Sequence, residues 1–107
     1  MHTEPRPSAH VKFEWDEAKN RINIRKHGFD FADAPEMFDG ILLASPDTRE
    51  EYGENRWVGI GTVRGRVAVV AFVERGPNTV RILSVRKASR NEARQYEKAI
   101  KNELEAG

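Results

Sequence analysis

The sequence predicts an α+β fold, a twisted sheet with helices packed on it. Two observations carry that reading. Residues 56–87 hold three apolar runs, RWVGIGTV, RVAVVAFVER and VRILSVRK, separated only by Arg64-Gly65 and by GPNT at 76–79. Connections that short cannot cross over a sheet, so the runs form an antiparallel meander. Helix signals stand on both sides of it: Asp16 as a cap with Gly28 as a stop, and Ser89 followed by Glu92 ahead of a helically spaced apolar stripe.

Each element follows in order. Residues 1–10, MHTEPRPSAH, lack apolar periodicity and are expected to be a flexible tail, with His2 and His10 solvated rather than metal-bound. Residues 11–107 are expected to form one domain. VKFEW, 11–15, alternates apolar and polar residues as a short strand does. Asp16 then caps a helix running to about His27, with Glu17 in its first turn and Lys26 and His27 at its C-terminal end. Ala18 and Ile22, with Trp15, mark its expected buried stripe. DFADAPEMFDG, 30–40, reads as a shorter helix capped by Asp30 or Asp33; Pro35 belongs in a first turn, which favours Asp33. ILLASPD, 41–47, reads as a short strand and 48–55 as a charged loop or turn. The run Val67–Val73 is apolar almost throughout, as in a strand covered on both faces. Alternation along the last strand puts Arg81, Leu83, Val85 and Lys87 on one face, and Val80, Ile82, Ser84 and Arg86 on the other. Ser89 opens the final helix, whose expected buried stripe is Ala93, Tyr96, Ile100 and Leu104.

Composition excludes several classes of function. With 107 residues the chain can bury one core, and a formal net charge of +1 says little about partners as a total. Cysteine is absent, so disulfides, a thiolate nucleophile and a Cys-ligated zinc are excluded. No apolar run approaches the roughly 20 residues of a membrane span. No apolar signal core opens the chain, and a cytoplasmic protein is expected. HExxH, DxD-type, GxGxxG and Walker patterns are missing, so neither a metal nor a nucleotide cofactor is expected.

Chemistry concentrates in two places. Arg75, Arg81, Arg86, Lys87, Arg90 and Arg94 gather cationic charge around the last strand and helix. The Ser89–Glu92 box puts Arg86, Lys87 and Arg90 beside the free N–H groups of a helix start, a suitable seat for a phosphate. A solvated rim is the plainer reading of any one of them. Glu54 and Arg56, two apart where the meander begins, read either as a surface ion pair or as a general base beside a phosphate clamp. His27 complements its helix dipole or titrates near neutral pH. Tyr96 reads as a core residue, and Trp57 and Tyr52 as isolated aromatics able to stack on bases.

Taken together, FEWDEAKNRINIRKHG, DFADAPEMF, YGENRWVGIG and RILSVRKASRNEARQYE resemble the BrnT family, toxins of type II toxin–antitoxin systems with a RelE-like ribonuclease fold. The resemblance spans roughly residues 13–97. It implies a metal-independent endoribonuclease that inhibits translation and is silenced by a BrnA-type antitoxin. It also implies a toxin–antitoxin heterotetramer that binds operator DNA only through the antitoxin. The family-pattern positions are Lys26, His27, Glu54, Arg56, Arg86, Lys87 and Arg90. From these, Glu54 or His27 is expected as base and Arg56, Arg86 and Lys87 as phosphate stabilisers. Arg90, Lys26 and Arg75 are expected to position RNA. Two alternatives remain open: a non-catalytic protein-binding module, and an inactive toxin acting as operator corepressor in an antitoxin complex. The first of these separates from catalysis on whether Glu54 and His27 lie within reach of the Arg86–Arg90 cluster.

Overall fold

A computed structural model of the chain describes residues 11–49, 51 and 53–106; His2, His10 and Tyr52 lie outside them. The element order is β1 (Lys12–Glu14), α1 (Glu17–His27), a 3₁₀ turn (Phe31–Asp33), α2 (Pro35–Asp39), β2 (Leu43–Pro46), β3 (Arg56–Val63), β4 (Arg66–Arg75), β5 (Thr79–Lys87) and α3 (Arg90–Ala106). One five-stranded sheet runs in the order β1-β5-β4-β3-β2. The β2–β3–β4–β5 pairings are antiparallel, and β1 joins β5 in parallel. Among the described residues, no helix is long and apolar enough to cross a membrane.

Local chemistry explains most boundaries. The Asp16 carboxylate accepts from the Lys19 N–H at 3.1 Å, and Gly28, in the left-handed region at φ 76°, closes α1 with its N–H on the Ile24 carbonyl. The Arg64-Gly65 turn has both residues at positive φ, 51° and 75°, the backbone a two-residue hairpin of the primed type needs. The segment 30–40 does not form one helix. Asp30, not Asp33, caps it by accepting from Ala32, and the chain makes a 3₁₀ turn before Pro35 opens α2. Asp33 instead faces Arg64 at 3.4 Å.

The expected buried stripe of α1 is overturned. Ala18 is exposed and Ile22 is 54% exposed, while Asn20 and Asn23 are buried. Asn23 works as a substitute strand. Its Nδ2 donates to the Val85 and Phe29 carbonyls, both at 2.9 Å, and its Oδ1 accepts from the Val85 N–H at 3.1 Å. Asn20 likewise accepts from the Phe31 N–H and donates to Asp30.

Two cores lie on the two faces of the sheet. On the α1–α2 face, Phe31, Met37, Phe38, Val70, Phe72, Val80, Ile82 and Val85 pack together. Phe38 bridges Phe13 and Phe72, with ring centroids 5.1 and 5.0 Å away. Gly61 leaves room on this face for Leu42, since a Cβ there would stand 3.2 Å from the Leu42 Cδ1. On the α3 face, Leu43, Ile60, Val69, Ala88 and Tyr96 form a smaller core, and the Tyr96 hydroxyl donates to the Ile41 carbonyl at 2.7 Å. Tyr96 is thus a core residue, whereas Leu104, at the far end of the expected stripe, is 77% exposed.

The expected alternation along β5 is also corrected. Ala71 pairs with Ser84 and Phe72 with Ile82, so Leu83 is an extra residue at a bulge. Past it the pattern inverts: Val80, Ile82 and Val85 share the α1–α2 face, while Ser84 and Arg86 face α3 with their partners Ala71 and Val69.

Candidate nucleic-acid groove

On the α3 face, where the second core ends, a groove opens between β2, the β2–β3 loop, β5 and the start of α3. Its inner lobe, about 360 Å³, is floored by Ser45, Val58, Val69, Ala71 and Ser84 and walled by Arg86 and Glu92. An outer lobe of about 770 Å³ is lined by Glu54, Arg56 and Trp57 among others. Pro46, Asp47, Thr48 and Arg49 belong to both lobes and join them.

Arg86 reaches the groove because the bulge turns it there. Its guanidinium is chelated by Glu92, Nη1 to Oε1 at 2.8 Å and Nη2 to Oε2 at 2.9 Å, and Nη1 also donates to the Lys87 carbonyl at 3.2 Å. These bonds engage three of the five guanidinium N–H groups, leaving the Nε edge for a ligand. Glu92 closes the capping box as well: it accepts from the Ser89 N–H at 2.8 Å, and the Ser89 hydroxyl accepts from the Glu92 N–H at 3.2 Å. The Arg86 guanidinium, then the Ser89 N–H, hold the Glu92 carboxyl down at about 2 against the cost of burial. Glu92 is therefore ionised near neutral pH and poorly suited to moving protons. Its carboxylate fills the place beside the helix start where a phosphate was expected. The same carboxylate offsets the unfavourable position of the Arg86 cation beside a helix N-terminus.

The outer lobe is built on Asp47. The Asp47 side chain is 1% exposed, and its carboxylate accepts from Arg49 Nε at 2.9 Å and Arg49 Nη2 at 2.8 Å. Arg56 Nε stands 3.6 Å from Asp47 Oδ2, and the Asp47 N–H donates to the Arg56 carbonyl. Hydrogen bonds from Arg49, helped by the nearby Arg56 charge, bring the Asp47 carboxyl to about 2. By the strand register, Arg56 and Arg86 are two strands and four residues apart, about 16 Å between Cα atoms. Arg49 lines both lobes, and its charge acts on Arg86.

The remaining candidates divide. Glu54 is exposed at the mouth of the outer lobe, beside Arg56. Lys87 is opposite Ala68, a residue of the α1–α2 core, so it points to the other face of the sheet from Arg86. His27 and Lys26 end α1, and Arg90 opens α3; none of the three lines either lobe. Arg75, at the far end of β4, is about 20 Å along the strand from the Arg86 rung. Arg81 pairs with Glu14 at 2.7 Å. Trp57 is half-buried against the first core, with its Nε1 buried and unpartnered among the described residues. No group of three or more metal-ligating side chains occurs among the described residues. Asp47 and Arg49 were missed by sequence reasoning. The signal was there: a lone acid ending the apolar run ILLASP, with an arginine two residues on.

A family model described as the ribonuclease toxin BrnT of type II toxin–antitoxin systems matches residues 15–92. The fold also matches the crystal structure of the Brucella abortus ribonuclease toxin BrnT, with a TM-score of 0.60 and 31% sequence identity, covering 75% of this chain and 99% of that one. No curated protein matches the chain. With the match running from Trp15, ahead of α1, to Glu92 in the capping box, the chain belongs to the BrnT family of ribonuclease toxins of type II toxin–antitoxin systems.

Proposed function

We propose that this protein is a cytoplasmic, metal-independent endoribonuclease that inhibits translation by cutting RNA. In the same reading a BrnA-type antitoxin silences it in a heterotetramer, and operator DNA is reached only through that antitoxin. The observation that carries the catalytic part is the groove in which carboxylates hold Arg86 and Arg49 by hydrogen bonds, with Arg56 3.6 Å from Asp47. Fixed cations suit a phosphodiester whose charge grows in the transition state.

Metal-free cleavage takes a proton from the ribose 2′-OH. The 2′ oxygen then bonds to phosphorus, the P–O5′ bond breaks, and the 5′ oxygen gains a proton. The products are a 2′,3′-cyclic phosphate and a 5′-hydroxyl. Glu54 is the base in this assignment, since it stands at the groove while His27 does not line it. Arg56 and Arg86 stabilise the pentacoordinate phosphorus, and Glu92 holds Arg86 in place. Arg90, exposed at the start of α3, guides RNA outside the groove in this reading.

Induction without antitoxin tests this. The wild type should arrest growth and leave RNA ends with cyclic phosphates. Purified protein should cut RNA in the presence of EDTA. Arg86→Ala should slow cleavage by about 10²–10³-fold, as loss of a transition-state donor does. An Arg86→Ala protein as toxic and as fast as the wild type would remove the groove from the mechanism.

A further inference from the structure

Asp47 and Arg49 pose a problem that the cleavage site alone does not answer. A carboxylate buried to 1% exposure is costly unless paired, and here its partners reach outwards: the Arg49 side chain is 71% exposed and that of Arg56 26%. If the only purpose were to close the end of β2, an uncharged residue would serve with less desolvation. The pairing has a geometric result instead. Asp47 takes the Nε and Nη2 edge of Arg49 at 2.9 and 2.8 Å and accepts from the Arg49 backbone N–H at 3.3 Å. A long side chain on an exposed loop is thereby held in one plane, over the junction of the two lobes. The Arg49 charge also acts unfavourably on Arg86, a repulsion that adjacent RNA phosphates bound at the two arginines would relieve.

We propose that Arg49 is a second phosphate ligand of the groove, gripping the RNA phosphodiester next to the one served by Arg86, and that Asp47 is its positioning residue. This rests on the ribonuclease reading above and adds to it a subsite for the flanking backbone. Arg49 then holds ground state and transition state alike, so its loss falls on KM rather than kcat.

Two RNAs of one sequence make the test: an unmodified strand for cleavage, and a fully 2′-O-methylated strand, which can bind but has no 2′-OH to react. Arg49→Ala, at an exposed position, should weaken binding and raise KM about tenfold, the worth of one charge-assisted bond, with kcat within about twofold. It should also lower the salt slope of binding by about one. Arg49→Lys should not restore affinity, because an ammonium cannot take the two-point grip of Asp47. Asp47→Asn should weaken binding at least as far as Arg49→Ala, since Asp47 also faces Arg56, and the double variant should bind no worse than Asp47→Asn alone. Unchanged binding and salt slope in Arg49→Ala, or additive losses in the double variant, overturn the subsite. Should Asp47→Asn fail to fold, Arg49→Ala and Arg49→Lys decide it alone. A wild type that binds the methylated strand but leaves the unmodified one intact sinks the ribonuclease reading, while the binding series still judges Arg49. A wild type that binds neither strand sinks both.

Discussion

Asn23 shows how much one side chain can do at the edge of a sheet. Beside β5, β1 ends at the Arg81 rung, so among the described residues Val85 has no strand neighbour on that side. A carboxamide carries a donor and an acceptor, as a peptide group does, and Asn23 uses both on Val85 and a further N–H on Phe29. Asn23→Ala would leave three buried backbone groups unpaired. A loss of roughly 3 kcal/mol or more is expected, read as a lower denaturant midpoint. Asn23→Asp should also destabilise, because a carboxylate has no N–H for the two carbonyls. Sequence reading placed Ala18 and Ile22 in the core because hydrophobic periodicity assumes burial by apolar contact. Here α1 docks by hydrogen bonds, and a rule built on apolar residues cannot see that.

At the scale of elements, a turn and a bulge decide where charges go. Arg64 sits at φ 51°, where Asn is better tolerated than a long side chain. Among the described residues its side chain pairs with Asp33, at 3.4 Å in an exposed pair of little energetic weight. Arg64→Asn should therefore leave thermal stability unchanged or raise it by about 0.5 kcal/mol; a clear fall in melting temperature would show that the pair matters more than the turn. The hairpin itself was legible from Arg64-Gly65 between two apolar runs. The bulge at Leu83 was not. Ile82 and Leu83 are both apolar, so the sequence offers no break in alternation, and only the pairing with Ala71 and Phe72 shows the extra residue. That one residue separates Arg86 from Val80 and Ile82 and sends it to the groove.

At the scale of the whole molecule, the groove depends on two carboxylates whose pKa values lie at about 2, Asp47 and Glu92. Both are below the ordinary carboxylate range, so both are more acidic folded than unfolded. Their stabilising effect is complete above about pH 5 and fades as pH falls through 4 towards 2. Urea midpoints should drop across that window, and Glu92→Gln should flatten part of the drop; parallel curves for variant and wild type would count against the linkage. By itself, the sequence determined the meander, the caps at Asp16 and Ser89, the stop at Gly28 and the family, because these rest on residues close together in the chain or on quoted motifs. Tertiary structure alone decided the parallel docking of β1 on β5, the burial of Asn20 and Asn23, and the side of the sheet each cation faces. Arg86, Arg49 and Arg56 come from three segments, and only strand register and one bulge bring them around a common groove. Lys87, next to Arg86 in the chain, is turned to the opposite face by the same alternation.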